Sequence, residues 1–226
     1  MRFQDAARDA RAVVYAGIQA DPLVARAAAL LADATPAQRL LARAVMNGST
    51  TDPDGWRTMF PTLFGPAATV DAAELSRSEA ILDASLAIAD RGEQVRSQIR
   101  GALVEELTAQ LLARRVGTGA VRRERRILFD GVRAEIHPYD VTVEREAAAE
   151  AYDCKWGARG INADVLHQLD DARTHAADED ERLDVALIVF DARRSCDVRL
   201  ARQTAPHEMT GLWTIETLDE LARSRR

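Results

Sequence analysis

The sequence predicts an α/β protein, with a mixed central sheet flanked by helices and an all-helical region in front. Three observations carry that expectation. Residues 1–47 and 71–90 carry apolar side chains at helical spacing. Residues 139–156 alternate with period two on either side of a polar connection. Residues 185–190, VALIVF, are a continuous apolar run of the kind found in strands buried on both faces.

The first 47 residues read as wholly helical. Ala6, Val13, Val14 and Ile18 begin one stripe, and Asp21-Pro22 punctuates it, with proline suited to the first turn of the next helix. Thr35-Pro36-Ala37-Gln38 has the form of a capping box ahead of Leu40, Leu41, Ala44 and Val45. Asn47 to Gly55 is the clearest loop in the chain. Trp56, Met59, Phe60, Leu63 and Phe64 follow it, bracketed by Pro61 and Pro66, as a short core helix or a partner-binding patch. Asp71 opens another helix, which runs to about Asp90.

From Ser97 to Leu112 a further amphipathic helix has Ile99, Leu103, Leu107 and Leu111 on one stripe. Gly117 to Gly119 stop it. Val121 to Phe129 reads as a strand dense in arginine, and Asp130-Gly131 as a two-residue turn. The arginines either line an approach for phosphate or are the solvated charges of an edge strand. Tyr139, Val141 and Val143 then alternate with Asp140 and Thr142. On the return arm Tyr152, Cys154 and Trp156 alternate with Asp153 and Lys155. A turn centred near Glu146 sets Asp140 opposite Asp153, with Lys155 on the same face and the other face apolar. Two acids and a lysine on one face are costly unless they bind something, and a divalent cation relieves the repulsion. Ile161, Val165 and Leu169 form the stripe of the next helix. A short strand at Leu212 to Ile215 and a terminal helix opening at Thr217 complete the chain.

The spacing of Asp140 and Asp153-Cys154-Lys155 resembles the PD-(D/E)XK, or restriction-endonuclease-like, nuclease superfamily. Its pattern is an aspartate, a gap, then (D/E)xK on the next strand. Gly101-x-x-x-Glu105-x-Leu107 looks like the first helix of its resolvase-like and Mrr-like members. The resemblance covers about Ser97 to Phe190 and implies an αβββαβ core. It departs from the commoner pattern in having Asp before xK and a tyrosine between Pro138 and Asp140. The expected domains are 1–92, a helical region that binds a partner or DNA or dimerises, and 93–226, a nuclease-like domain.

The resemblance implies metal-dependent hydrolysis of nucleic acid, DNA favoured over RNA, in bacterial defence or DNA processing. Mg²⁺ or Mn²⁺ would be held by Asp140, Asp153, Glu105 and the backbone carbonyl of Cys154, with Glu106 as the fallback if the helix is rotated. Lys155 would orient water and stabilise phosphate charge. Gln168 would face the metal-bound water or the phosphate, and Arg122, Arg123, Arg125 and Arg126 would meet the nucleic-acid backbone. His137 and His167 are candidates for the rim of the site. A homodimer, or a partner ATPase or sensor subunit, would supply specificity. The alternative is a catalytically silent subunit of this fold, acting as a DNA-binding or protein-interaction scaffold.

Composition sets limits on these readings. A net charge of -6 over 226 residues excludes a globally basic nucleic-acid binder. Cys154 and Cys196 form no CxxC pair, so neither a zinc site nor a disulfide framework is expected. With no apolar run of spanning length and no signal-peptide core, no membrane partner is expected and the default location is cytoplasmic.

Overall fold

The computed structural model describes residues 1–6, 10–65, 71–129, 132–133, 137–146, 148–206 and 210–223. It is α/β with a mixed sheet. Two compact units divide it, Arg11–Leu107 and a second made of Met1–Ala10 with Thr108–Arg226. The division falls inside a helix rather than at residue 92.

The first unit is helical: α1 (Ala10–Gln19), α2 (Pro22–Ala32), α3 (Pro36–Asn47), α4 (Pro53–Met59), α5 (Pro61–Phe64), α6 (Ala72–Ala89) and the first part of α7 (Glu93–Val116). Asp21 caps α2 by accepting from the Leu23 N–H at 2.9 Å. Thr35 and Gln38 form the reciprocal capping box of α3. Gln38 also reaches Ser78 of α6 at 2.9 Å. Val24, Leu31, Leu41, Val45, Ile81, Leu82 and Ile88 are buried. The loop after α3 closes on a buried Trp56, whose indole N–H donates to the Thr50 carbonyl at 3.0 Å. Leu63 is buried as well, whereas Met59 is exposed. Arg96 and Arg100 donate to the carbonyls of Gly48 and Met46, at 3.0 and 3.1 Å, which explains why the start of α7 belongs to this unit.

Among the described residues the second unit holds a seven-stranded sheet: β1 (Arg2–Asp5), β2 (Val121–Phe129), β3 (Val132–Arg133), β4 (Tyr139–Glu144), β5 (Ala149–Lys155), β6 (Leu183–Val189) and β7 (Gly211–Trp213). The order is β1-β2-β4-β5-β6-β7, with β3 beside β2. Pairing is antiparallel from β1 through β5 and parallel from β5 to β7. The parallel β5–β6 connection runs through α8 (Ala163–Asp178), as a crossover requires. Val165, Leu166, Leu169 and Ala172 of α8 pack with Ala149, Ala151, Val185, Leu187 and Val189. On the other face, Arg115 near the end of α7 pairs with Glu150, and the Thr108 hydroxyl lies 3.5 Å from the Cys154 thiol. α9 (Arg193–Leu200) follows β6.

Four expectations need correction. Residues 2–5 are a strand rather than helix, because β2 offers them a partner: Phe3 pairs with Ile127 and Asp5 with Arg125. That same pairing makes β2 an interior strand, so its arginines do not guard an edge. The hairpin is not apolar on one face only, since β5 is buried along most of its length. The segment opening at Thr217 is a 3-10 turn, Leu218–Ala222, rather than an α-helix. The expected turn at Asp130-Gly131 lies outside the described residues, although Phe129 and Val132 on either side of it pair. Pro66, His207 and the last two arginines also lie outside them. Among the described residues no helix is long and apolar enough to cross a membrane.

Candidate functional site

The hairpin β4–β5 sets the geometry. Val141 pairs with Tyr152 and Thr142 with Ala151. One step further along each arm, Asp140 comes opposite Asp153, where the ladder gives way to a side chain. The Asp140 carboxylate Oδ2 accepts the Cys154 N–H at 2.6 Å. Asp153 is buried, at 5 % exposure, and forms an ion pair with the Lys155 ammonium. The contact is made at Asp153 Oδ1. Burial works to push the Lys155 pKa down. The charges of Asp153 and Asp140 outweigh it, and the net shift is upward. The ammonium thus feels both aspartates.

β2 adds a carboxylate that sequence reasoning missed. Arg123 pairs with Val141 and Arg125 with Tyr139, which leaves Glu124 across from Asp140. Glu124 has φ 51, in the left-handed region that non-glycine residues rarely occupy. Its carboxylate and that of Asp140 approach within 4.8 Å. No local signal marks Glu124, since it sits inside Arg122-Arg123-Glu124-Arg125-Arg126. Only the register against β4 brings it to Asp140.

A hard divalent cation fits this donor set. Two carboxylates whose oxygens approach within 4.8 Å, on the adjacent strands β2 and β4, the latter beside the strand of Asp153, are the hard oxygen ligands Mg²⁺ and Mn²⁺ take.

The other expected residues fare differently. Gln168 is buried and committed to backbone. Its Oε1 accepts the His137 N–H at 3.0 Å and its Nε2 donates to the His137 carbonyl at 3.0 Å. It therefore holds the chain three residues before Asp140 rather than facing a substrate. His137 itself is exposed, and His167 is an exposed residue of α8. Arg125 is taken up internally, forming ion pairs with Asp5 and, at 2.7 Å, with Glu144. Arg122 is exposed, and Arg123 and Arg126 are half-buried. Cys154 gives its N–H to Asp140 and its thiol to Thr108. Within the helical unit Glu105 is 5 % exposed, and its carboxylate accepts from the Tyr15 hydroxyl at 2.5 Å and the Gln19 amide at 2.8 Å. Glu106 is half-buried.

One signal in the sequence bears on this cluster. Lys155 is the only lysine in the 226 residues; every other basic side chain of the Lys and Arg total is arginine. No protein-family model, no curated protein and no solved structure matches the chain.

Proposed function

We propose that the strand unit is a metal-dependent phosphodiesterase acting on nucleic acid, with DNA as the favoured substrate. The observation that carries the reading is the meeting of Asp140, Asp153 and Lys155 at the mouth of one hairpin, with Glu124 beside Asp140. The order α7, β2, β4, β5, α8, β6 also supports it, being the order implied by the restriction-endonuclease-like resemblance.

Glu124, Asp140 and Asp153 are the residues that would hold Mg²⁺ or Mn²⁺. Such an ion, when bound, polarises a phosphoryl oxygen and lowers the pKa of water. Lys155 offers a compact cation beside two carboxylates, suited to offsetting charge on the phosphate and orienting the attacking water. Arg122 is exposed and available to backbone phosphates. Gln168 and the Cys154 N–H fix the position of Asp140. The scaffold reading draws on the same contacts, because Lys155 and Arg125 already have carboxylate partners.

The test combines binding with cleavage. Mn²⁺ or Mg²⁺ is titrated while the melting temperature is followed. Plasmid, linear duplex, single-stranded DNA and RNA are offered to the wild type, Asp140→Asn and Lys155→Met. At a metal concentration about a hundred times Kd the stabilisation is about 2.7 kcal/mol. The wild type is expected to gain it and to cut DNA. Asp140→Asn is expected to lose both, and Lys155→Met to lose cutting while keeping the metal response. A wild type that neither responds to metal nor cuts is a scaffold.

A further inference from the structure

Lys155 ends β5, and the chain then turns back on itself. Trp156 and Gly157 lead into a 3-10 turn, Ala158–Gly160, that brings Gly160 against the lysine side chain. A Cβ on Gly160 would lie 2.8 Å from Lys155 Cδ and 2.9 Å from both Cβ and Cγ. The backbone does not ask for glycine here, because Gly160 is not among the residues with positive φ. Space alone asks for it.

Neither partner in this contact is loose. Lys155 pairs with Val189 in the parallel ladder, and its carbonyl accepts the Phe190 N–H at 2.8 Å. Next to it, the Trp156 ring stacks on Phe190 with centroids 5.0 Å apart. On the other side, the Ala158 N–H donates to the buried Asp191 carboxylate at 3.0 Å. Ile161, directly after the turn, is fully buried, and its carbonyl accepts from Arg199 Nε at 2.8 Å. The lysine Cβ is fixed by the strand, so an added methyl cannot be accommodated by the tip of the side chain alone. The stem must rotate or the turn must lift.

We infer that Gly160 is a positioning residue for Lys155: its bare Cα forms the wall along which the lysine stem lies, and it thereby sets the ammonium on Asp153. Asp191 is the anchor of that wall. The inference rests on the proposed function only for its consequence in catalysis; the placement of the ammonium is a property of the fold. A side chain at position 160 displaces the ammonium from Asp153 while leaving Glu124 and Asp140 where they are.

Because Lys155 is the only lysine, its amine is read without interference. The folded protein is acylated with an amine-reactive ester at one pH, and the arginine-bounded peptide Glu146–Arg159 is quantified by mass spectrometry. In the wild type, burial and the ion pair are expected to slow labelling relative to the unfolded chain. In Gly160→Ala the rate is expected to rise about fivefold, the scale of a lost ammonium–carboxylate contact. The melting response to Mn²⁺ is expected to stay, and kcat for DNA cleavage to fall with KM unchanged. An unchanged labelling rate in folded Gly160→Ala overturns the inference. Faster labelling in a protein whose wild type cuts nothing upholds it and removes the nuclease reading instead. Should Gly160→Ala fold but melt too low to be labelled in its native state, the cycle with Lys155→Ala decides. The melting loss caused by Gly160→Ala is expected to shrink by more than half once the lysine stem is gone, and equal losses in both backgrounds overturn the inference.

Discussion

The carboxylate of Glu150 offers a sharp test of what holds the hairpin in place. It lies near the turn, away from Lys155, and three groups converge on it. Arg115 and the Tyr152 hydroxyl donate to Oε2, and Arg145 reaches Oε1 at 2.8 Å. The Arg115 and Glu150 side chains are only 5 % and 6 % exposed, whereas Arg145 is 49 % exposed. The Arg145 pair is therefore worth about 0–1 kcal/mol. The Arg115 pair is a different case. Glu150→Gln removes the counter-charge and leaves a buried guanidinium whose Nε already lacks an acceptor. Breaking a buried pair from one side costs about 3–5 kcal/mol. Set against a total stability of about 5–15 kcal/mol, that is a large fraction. At about 2–4 °C per kcal/mol for a chain of this size, the melting temperature should fall by about 6–20 °C. Calorimetry of Glu150→Gln measures it. A triple variant, Arg115→Met with Glu150→Leu and Tyr152→Phe, removes all three polar groups together and is expected to recover most of the loss. A Glu150→Gln cost below about 1 kcal/mol would refute the reasoning, for the pair would then behave as if solvated.

Two further predictions follow from the same structure. Gln168→Met removes both bonds to the His137 backbone. Water can replace them at an exposed residue, so the stability cost should be small, about 1 kcal/mol. Mn²⁺ affinity, measured by calorimetric titration, should fall by more than that, because Asp140 lies three residues on; an affinity equal to wild type would show that the clamp does not reach Asp140. The second concerns alkaline pH. Burial and then the charge of Asp191 push the Cys196 thiol up from 9.0 to about 12. Burial, then Glu150, raise the Tyr152 phenol above 10.0. Both folded values exceed the unfolded ones, so the native state retains protons that the unfolded chain gives up. The contribution of these two groups is whole below pH 9.0 and falls as pH climbs above it, first through Cys196 and then through Tyr152. Denaturant midpoints across that range check the slope, and Cys196→Ala should delay its onset.

What the sequence revealed was mostly local. The hairpin was legible because alternation on both arms and the polar run between them fix a turn near Glu146, and that turn determines which residues face each other. The capping box of α3 and the succession of α8 and β6 after the hairpin were legible for the same reason, their signals lying within a few residues. Long-range pairing hid the rest. β1 is four residues with no period of its own, and it is a strand because β2 lies beside it. Arg125 looked like its arginine neighbours, yet its ion-pair partner Asp5 lies far away in the chain. Gln168 fell off the apolar stripe of its helix and is buried all the same, because the segment at His137 folds over it. Glu124 combines both obstacles, a strand register and a left-handed φ that its residue type does not announce.

The lone lysine ties composition to this geometry. A chain that uses arginine for every other basic position has no general need of lysine. Position 155 differs in what surrounds it. The stem lies against the Cα of Gly160, and its ammonium meets one oxygen of a buried aspartate, Oδ1 of Asp153. A guanidinium is a planar fork that prefers to grip both oxygens of a carboxylate at once, and it keeps its charge at any working pH. On Asp153 such a grip would occupy both oxygens and take the residue out of use as a ligand. An ammonium is a compact point charge that holds one oxygen and leaves the other. The choice of lysine therefore leaves one oxygen of the buried aspartate to a second cation, as the proposed metal site requires.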